Sequence, residues 1–171
     1  RGPWCCVGRA FLPLGVFRAG PLAETETCGQ IRTGLITLVQ HAIPTVDTVS
    51  WTMHGEHWTL NSWGFNVLIA AVYRLAGLPG VALTCAALVM AAGGLVLLLA
   101  SQLGASPIVA GAILWLDSPL LIGWLSARPQ LVDYVAVLVL VVLLRRLVND
   151  HHPVRLVLLV ATELILSCWH S

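Results

Sequence analysis

The feature that most constrains this chain is a long uncharged stretch, since no residue from Leu75 to Leu116 carries a charge. Exposing that much apolar surface to water would be energetically unfavourable. A hydrocarbon core about 30 Å thick needs roughly 20 apolar residues of helix for one crossing. The stretch is therefore long enough for two crossings, joined by a turn at residues 101–107, where polar residues, glycine and proline interrupt the apolar pattern. The sequence predicts an integral membrane protein.

Composition and charge exclude several other classes of protein. The hydrophobic fraction of 58%, the charged fraction of 10% and the mean hydropathy of +0.88 lie outside the usual range of soluble domains. The net charge is only +1, and the nine basic residues are arginines that do not cluster as a nucleic-acid footprint would. We therefore expect no nucleic-acid partner. The five cysteines form no C-x-x-C pair, so neither a disulfide framework nor a zinc site is predicted.

The chain divides into three parts by composition. Residues 1–23 combine prolines, glycines and arginines, and two interpretations stay open for them, a degenerate first span or a leader. Residues 24–63 are polar and rich in threonine, histidine and tryptophan, which predicts an extracytoplasmic loop. Residues 64–171 are predicted to be a transmembrane helical region. The predicted fold class is thus all-α, a polytopic transmembrane helical bundle.

Apolar periodicity subdivides the third part. A short helix is predicted over about residues 62–76, ending at Gly77-Leu78-Pro79-Gly80. Apolar runs and their breaks then predict four spans, at residues 80–100, 107–126, 130–147 and 154–170. The arginine-rich connection at residues 145–155 belongs on the cytoplasmic side by the positive-inside rule. Counting back through the spans places Arg128 and the loop of residues 24–63 outside, in a multi-pass protein of the cell membrane.

The outer loop and a later connection carry a series of short motifs. They are Glu24-Thr25-Glu26, Gln30-Ile31-Arg32-Thr33-Gly34, the segment from Pro44 through Asp47 and Ser50 to Thr52, Gly55-Glu56-His57-Trp58, Trp63 and Arg128-Pro129-Gln130. Their order resembles that of bacterial polytopic membrane proteins of the GT-C glycosyltransferase type, over about residues 24–147. Glu24 and Glu26 stand where those proteins carry two aspartates, and Asn61-Ser62 stands where they often carry an acid.

The resemblance implies a reaction and its partners. Members of this group transfer a sugar from a polyprenyl-phosphate donor to an acceptor on the outer face of the membrane. The expected partners are therefore membrane lipid and a polyprenyl-phosphate sugar donor. A carboxylate of the first loop often acts there as the base or as a metal ligand, which leaves a divalent cation open as a cofactor.

The chemistry of sugar transfer suggests roles for individual residues. A carboxylate must take the proton of the acceptor, and a cation must steady the leaving phosphate. Glu24, Glu26 and Asp47 are the candidate catalytic carboxylates. Candidate substrate-binding residues are two cations and one aromatic residue: Arg32, Arg128 and Trp58.

A plainer alternative exists for each of these residues. Loop acids can simply keep a loop solvated, and Arg128 can extend to the interface and anchor a helix end. The competing class is a non-catalytic membrane protein, either a piece of a transporter or a structural subunit, or else an inactive fragment. The two classes differ in one expectation, because a catalytic protein should bring Glu24 or Glu26 close to Asp47 and Arg128 around a cavity.

Two acids inside predicted spans and a histidine pair in the outer loop are further candidates for a functional role. Asp117 and Glu163 lie inside predicted spans, where a carboxylate is costly unless it pairs or lines a wet cavity. The sequence His54-Gly55-Glu56-His57 does not have the H-E-x-x-H spacing of a zinc protease, and Gly55 disfavours the helix that such a site needs. No metal site is predicted at these histidines.

Overall fold

The computed structural model describes residues 25–121, 127–149 and 153–170, with side chains described at 26–116, 127–149 and 153–164. These residues form five α-helices: α1 (Thr25–Gln40), α2 (Trp63–Gln102), α3 (Pro107–Leu121), α4 (Gln130–Asn149) and α5 (Pro153–His170). Within the described residues the only extended pairing is an isolated antiparallel bridge between Val46 and His57. The all-α prediction is confirmed. Residues 1–23, Glu24 and the side chain of Asp117 lie outside the described part.

Helix α1 corrects one sequence-based expectation, because residues 25–40 were assigned to a loop. Its inward face is made of threonine and glycine with Ile31, which gives little apolar periodicity to read. The hydroxyl of Thr33 donates to the carbonyl oxygens of Gly29 and Gln30, and that of Thr37 donates to the Thr33 carbonyl oxygen. These bonds satisfy hydroxyls that would otherwise be costly to bury, so a polar sequence forms a packed helix.

Helix α2 is kinked at Gly77, which has φ 63° and ψ −162° inside an otherwise helical run. A methyl group on Gly80 would lie 3.3 Å from a side-chain carbon of Val72. In a straight helix, residues eight apart are separated by about 12 Å along the axis. Residues 63–76 and residues 80–102 are therefore two helical arms that meet at a kink, where the start of the second arm contacts the last turns of the first. The predicted end of a short helix at Gly77 is confirmed.

The core forms where the two arms of α2 meet their neighbours. Its buried members are Ile31, Phe65, Ile69, Val81, Cys85, Ala127 and Leu131. They come from α1, from both arms of α2, and from the start of α4 with the residues just before it. Helix α2 also contacts each of the other four helices. It is consequently the central helix, against which the other four described helices pack.

The C-terminal end of α2 and the start of α3 lie at residues that favour helix ends. The amide of Leu103 donates to the carbonyl oxygen of Leu99, and Gly104 has φ 76°, a left-handed conformation that suits glycine after a helix. Helix α3 then begins at Pro107, a residue favoured in the first turn because it needs no amide donor there. The turn predicted at residues 101–107 is confirmed.

The number of membrane crossings differs from the expectation. Among the described residues, α2 alone is long and apolar enough to cross a membrane by length and composition. Residues 80–102 alone would extend about 34 Å, which is enough for one crossing. The described part of α3 is shorter, and α4 carries Asp133, Arg145 and Arg146. The described structure therefore supports one candidate span rather than the predicted four.

The closest packing between helices occurs where α1 meets the first arm of α2. A methyl group on Gly34 would overlap the carbonyl oxygen of Asn66 and lie 2.7 Å from the Cβ atom of Ala70. A glycine here lets the two backbones approach, as small residues do in packed membrane helices.

We expect Gly34→Ala to destabilise the protein by about 1–3 kcal/mol, the range for inserting atoms into a packed contact. The matched control is Gly29→Ala on the same helix, where a methyl group would meet nothing within 4 Å. That variant should be as stable as the parent or slightly more so, because alanine favours helix. Thermal unfolding of the two purified variants in detergent measures the difference. Equal midpoints for both variants would contradict the packing described here.

Candidate functional site

A cleft of about 440 Å³ lies between α1, the loop before α2 and the first turns of α2. Its polar and aromatic lining residues include Glu26, Gln30 and Thr33 of α1, then Asp47, Ser50, Trp58, Asn61 and Ser62, and finally Asn66 of α2. Pro129, in the connection before α4, completes one wall. Three of the residues proposed from sequence, Glu26, Asp47 and Trp58, thus share one cavity.

An ion pair ties the cleft to the later connection. The Nε atom of Arg128 lies 3.2 Å from Oε2 of Glu26. The two side chains are 30% and 60% exposed, so solvent screens the pair and its contribution is about 0–1 kcal/mol. The structure therefore brings Glu26 and Arg128 together, through a contact weak enough to exchange for another.

The carboxylate of Asp47 is committed to its own loop. Its Oδ1 atom accepts hydrogen bonds from the amides of Val49 and Ser50, at 2.8 and 2.9 Å. Its Oδ2 atom accepts a hydrogen bond of 2.5 Å from the hydroxyl of Ser50. The same hydroxyl oxygen accepts the amide of Met53. Asp47 thus organises the turn at residues 47–53 in the manner of an Asx turn.

These hydrogen bonds change the acidity of Asp47. The hydroxyl of Ser50, then the amides of Ser50 and Val49, hold the pKa of its carboxyl below the usual value. A carboxylate with a lowered pKa is a weaker base, because it holds a proton less readily. Asp47 is consequently better suited to hold the loop than to accept a proton.

Trp58 reaches the cleft because the loop is closed at its base. Its amide donates to the carbonyl oxygen of Thr45 at 2.8 Å, next to the bridge between Val46 and His57. Asp47 adds two backbone bonds, with its amide donating to the Glu56 oxygen and its carbonyl accepting the Gly55 amide. The half-buried indole is thereby placed as one wall of the cleft.

Several lining residues were not predicted as site residues, among them Asn66, Ser62 and Gln30. Asn66 is 4% exposed on an otherwise apolar helical arm, and that polar position was a usable signal. Ser62 has φ 58°, a strained conformation for a residue other than glycine, which no sequence pattern indicated. The buried Oε1 atom of Gln30 has no hydrogen-bond partner in the described part of the chain.

One residue predicted from sequence does not reach the cleft. Arg32 lies on α1 but is exposed and does not line it. Glu24 lies outside the described residues. Their assigned roles stay predictions.

The cleft does not suit a divalent cation. Across the residues that the structure describes, no group of three or more His, Cys, Asp or Glu side chains could hold a metal ion. Both oxygens of Asp47 already accept hydrogen bonds, and Glu26 is paired with an arginine whose charge opposes a nearby cation. No step below relies on a metal.

Comparison with known proteins gives no assignment. The chain matches no protein family model, no curated protein and no solved structure.

The hydrogen bonds to Asp47 predict a pH dependence for the order of its loop. Because the pKa is lowered in the folded state, the stabilisation is complete above the unfolded value of about 3.9 and is lost as the pH falls through the folded value. We expect Asp47→Asn to increase hydrogen exchange in the peptide covering residues 45–58 at neutral pH and to remove the acid-induced loosening of that loop. Glu56→Gln, an exposed acid of the same loop, is the matched control and should change neither property. Identical exchange in both variants would contradict the role given to Asp47.

Proposed function

We propose that this chain acts as a multi-pass membrane glycosyltransferase of the GT-C type, transferring a sugar from a lipid-phosphate donor on the outer face. The observation that carries the proposal is the cleft, which unites Glu26, Asp47 and Trp58, with Arg128 paired to Glu26. A carboxylate, a cation and an aromatic wall are the groups that this reaction needs in one place.

The roles follow from what each side chain is free to do. The carboxylate of Glu26 takes the proton of the acceptor hydroxyl. At the same time, the oxygen of that hydroxyl bonds to the anomeric carbon of the sugar. The bond from that carbon to the phosphate oxygen breaks, and the lipid phosphate leaves with the electron pair. Arg128 can turn from Glu26 to this anion at little cost, since a partly exposed ion pair is weak. Trp58 supplies an apolar face for the sugar ring, and Asp47 keeps the loop in place.

A non-catalytic membrane protein is the alternative, and the same contacts favour it in one respect. The carboxylate of Asp47 organises a turn, and the Glu26–Arg128 pair joins α1 to the connection before α4. In both cases the candidate catalytic and substrate-binding residues make contacts that stabilise the fold. A measurement of turnover separates the two functions.

We expect Glu26→Gln to lower turnover by about 10²–10⁴-fold, the usual contribution of a positioned base, with little loss of membrane insertion. The matched control is Glu56→Gln, which removes an exposed loop carboxylate outside the cleft and should retain parental turnover. The assay follows consumption of a polyprenyl-phosphate sugar by membranes that contain the protein. Full turnover in Glu26→Gln would overturn the role of Glu26. Absence of turnover in the parent would favour the non-catalytic function.

The proposed multi-pass arrangement has its own test. The positive-inside rule places the arginines at 145 and 146 in the cytoplasm and the loop bearing Trp58 outside. We expect reporter fusions at Trp58 and at Arg146 to report opposite sides of the membrane. Finding both positions on one side would remove the proposed arrangement, because an odd number of crossings must separate them.

A further inference from the structure

The loop between α1 and α2 exposes an unusual amount of apolar surface. We call residues 42–53 the tip loop. Its indole at Trp51 is 96% exposed and Met53 is 57% exposed. Ile43, Val46 and Val49 are each more than 40% exposed. Isolated apolar residues are common on protein surfaces, but five within twelve positions form a feature that calls for a partner.

The tip loop presents no charge outward. Asp47 is its sole ionisable residue, and this side chain is turned inward, with the residue 8% exposed and its carboxylate bonded to Val49 and Ser50. The polar groups that remain exposed include Thr45, Thr48 and Thr52, which are uncharged. An uncharged surface of tryptophan, aliphatic residues and hydroxyls matches the chemistry of the lipid headgroup region, where tryptophan is enriched.

The loop is held in shape before it meets any partner. The Val46–His57 bridge closes its base, and Asp47 fixes the turn at residues 47–53. A loop that is already ordered loses little conformational freedom on binding, so more of its apolar contact appears as affinity. After residues 54–62 the chain enters α2, which contains the candidate membrane span.

The tip loop also forms part of the cleft. Val49 and Ser50 lie on the cleft wall, two positions or fewer from Trp51. The environment that surrounds the Trp51 side chain, whether water, lipid or protein, therefore lies beside the cleft as well.

We propose that the tip loop inserts its apolar side chains into the outer leaflet at headgroup level, with the lipid surface itself as its partner. The cleft then opens beside the lipid phosphates, and a lipid-linked donor reaches Glu26 and Arg128 sideways from the leaflet. This second consequence and the choice of the outer leaflet rest on the proposed function and its membrane arrangement, whereas insertion of the loop into a lipid surface does not.

The test uses quenching of Trp51 fluorescence by lipid. The full chain is reconstituted into phosphatidylcholine vesicles with and without phosphatidylcholine brominated near the headgroup. The difference in emission between the parent and Trp51→Phe isolates the signal of Trp51 from the other tryptophans. Because Trp51 is almost fully exposed, Trp51→Phe should fold as the parent does. We expect most of the Trp51 signal to be lost in brominated vesicles and to be protected from aqueous iodide.

Two results would overturn the inference. Quenching of Trp51 by iodide and not by brominated lipid would place the loop in water. Protection from both quenchers would mean that protein, such as a second copy of the chain, covers it. The readout is independent of turnover, so an inactive parent protein would overturn the proposed function and leave the insertion result intact. A water-exposed loop in an active protein would overturn the insertion alone.

Discussion

The break in α2 at Gly77 is the constraint on which the rest of the structure depends. Its left-handed backbone kinks the helix so that Val72 and Gly80 come into contact where the two arms meet. This places Phe65 and Val81 in a single core with residues from α1 and from the start of α4. Without the break, a straight α2 would separate Phe65 and Val81 by about 24 Å along its axis.

Two carboxylates in one cleft acquire different properties from their surroundings. Hydrogen bonds to Asp47 stabilise its charged form and lower its pKa, which ties it to the loop. Glu26 makes a partly exposed ion pair with Arg128, which an anionic ligand can displace. The division between a residue that holds the loop and a residue that can exchange partners follows from these contacts, since both side chains are acids of similar intrinsic strength.

Sequence reasoning succeeded where apolar pattern and helix breakers dominate, and failed where polar residues are buried. The ends of helices at Gly77 and at residues 101–107 were predicted because glycine and proline act locally. Helix α1 was missed because threonine hydroxyls bond to its own backbone, which hides a packed face behind a polar sequence. Gln30 was missed as a cleft residue because contacts between distant segments leave no local pattern, whereas the polar Asn66 on an apolar arm was a usable signal.

The sequence by itself determined that the protein is helical and strongly apolar, because composition and periodicity depend on each segment alone. It also identified Glu26, Asp47, Trp58 and Arg128 as candidates, through the order of short motifs. Only the tertiary structure decided that Glu26 lies beside Arg128, that Asp47 serves its own loop and that Arg32 stays outside the cleft. These outcomes depend on how α1 packs against the kinked α2. Such packing is set by contacts between residues far apart in the chain.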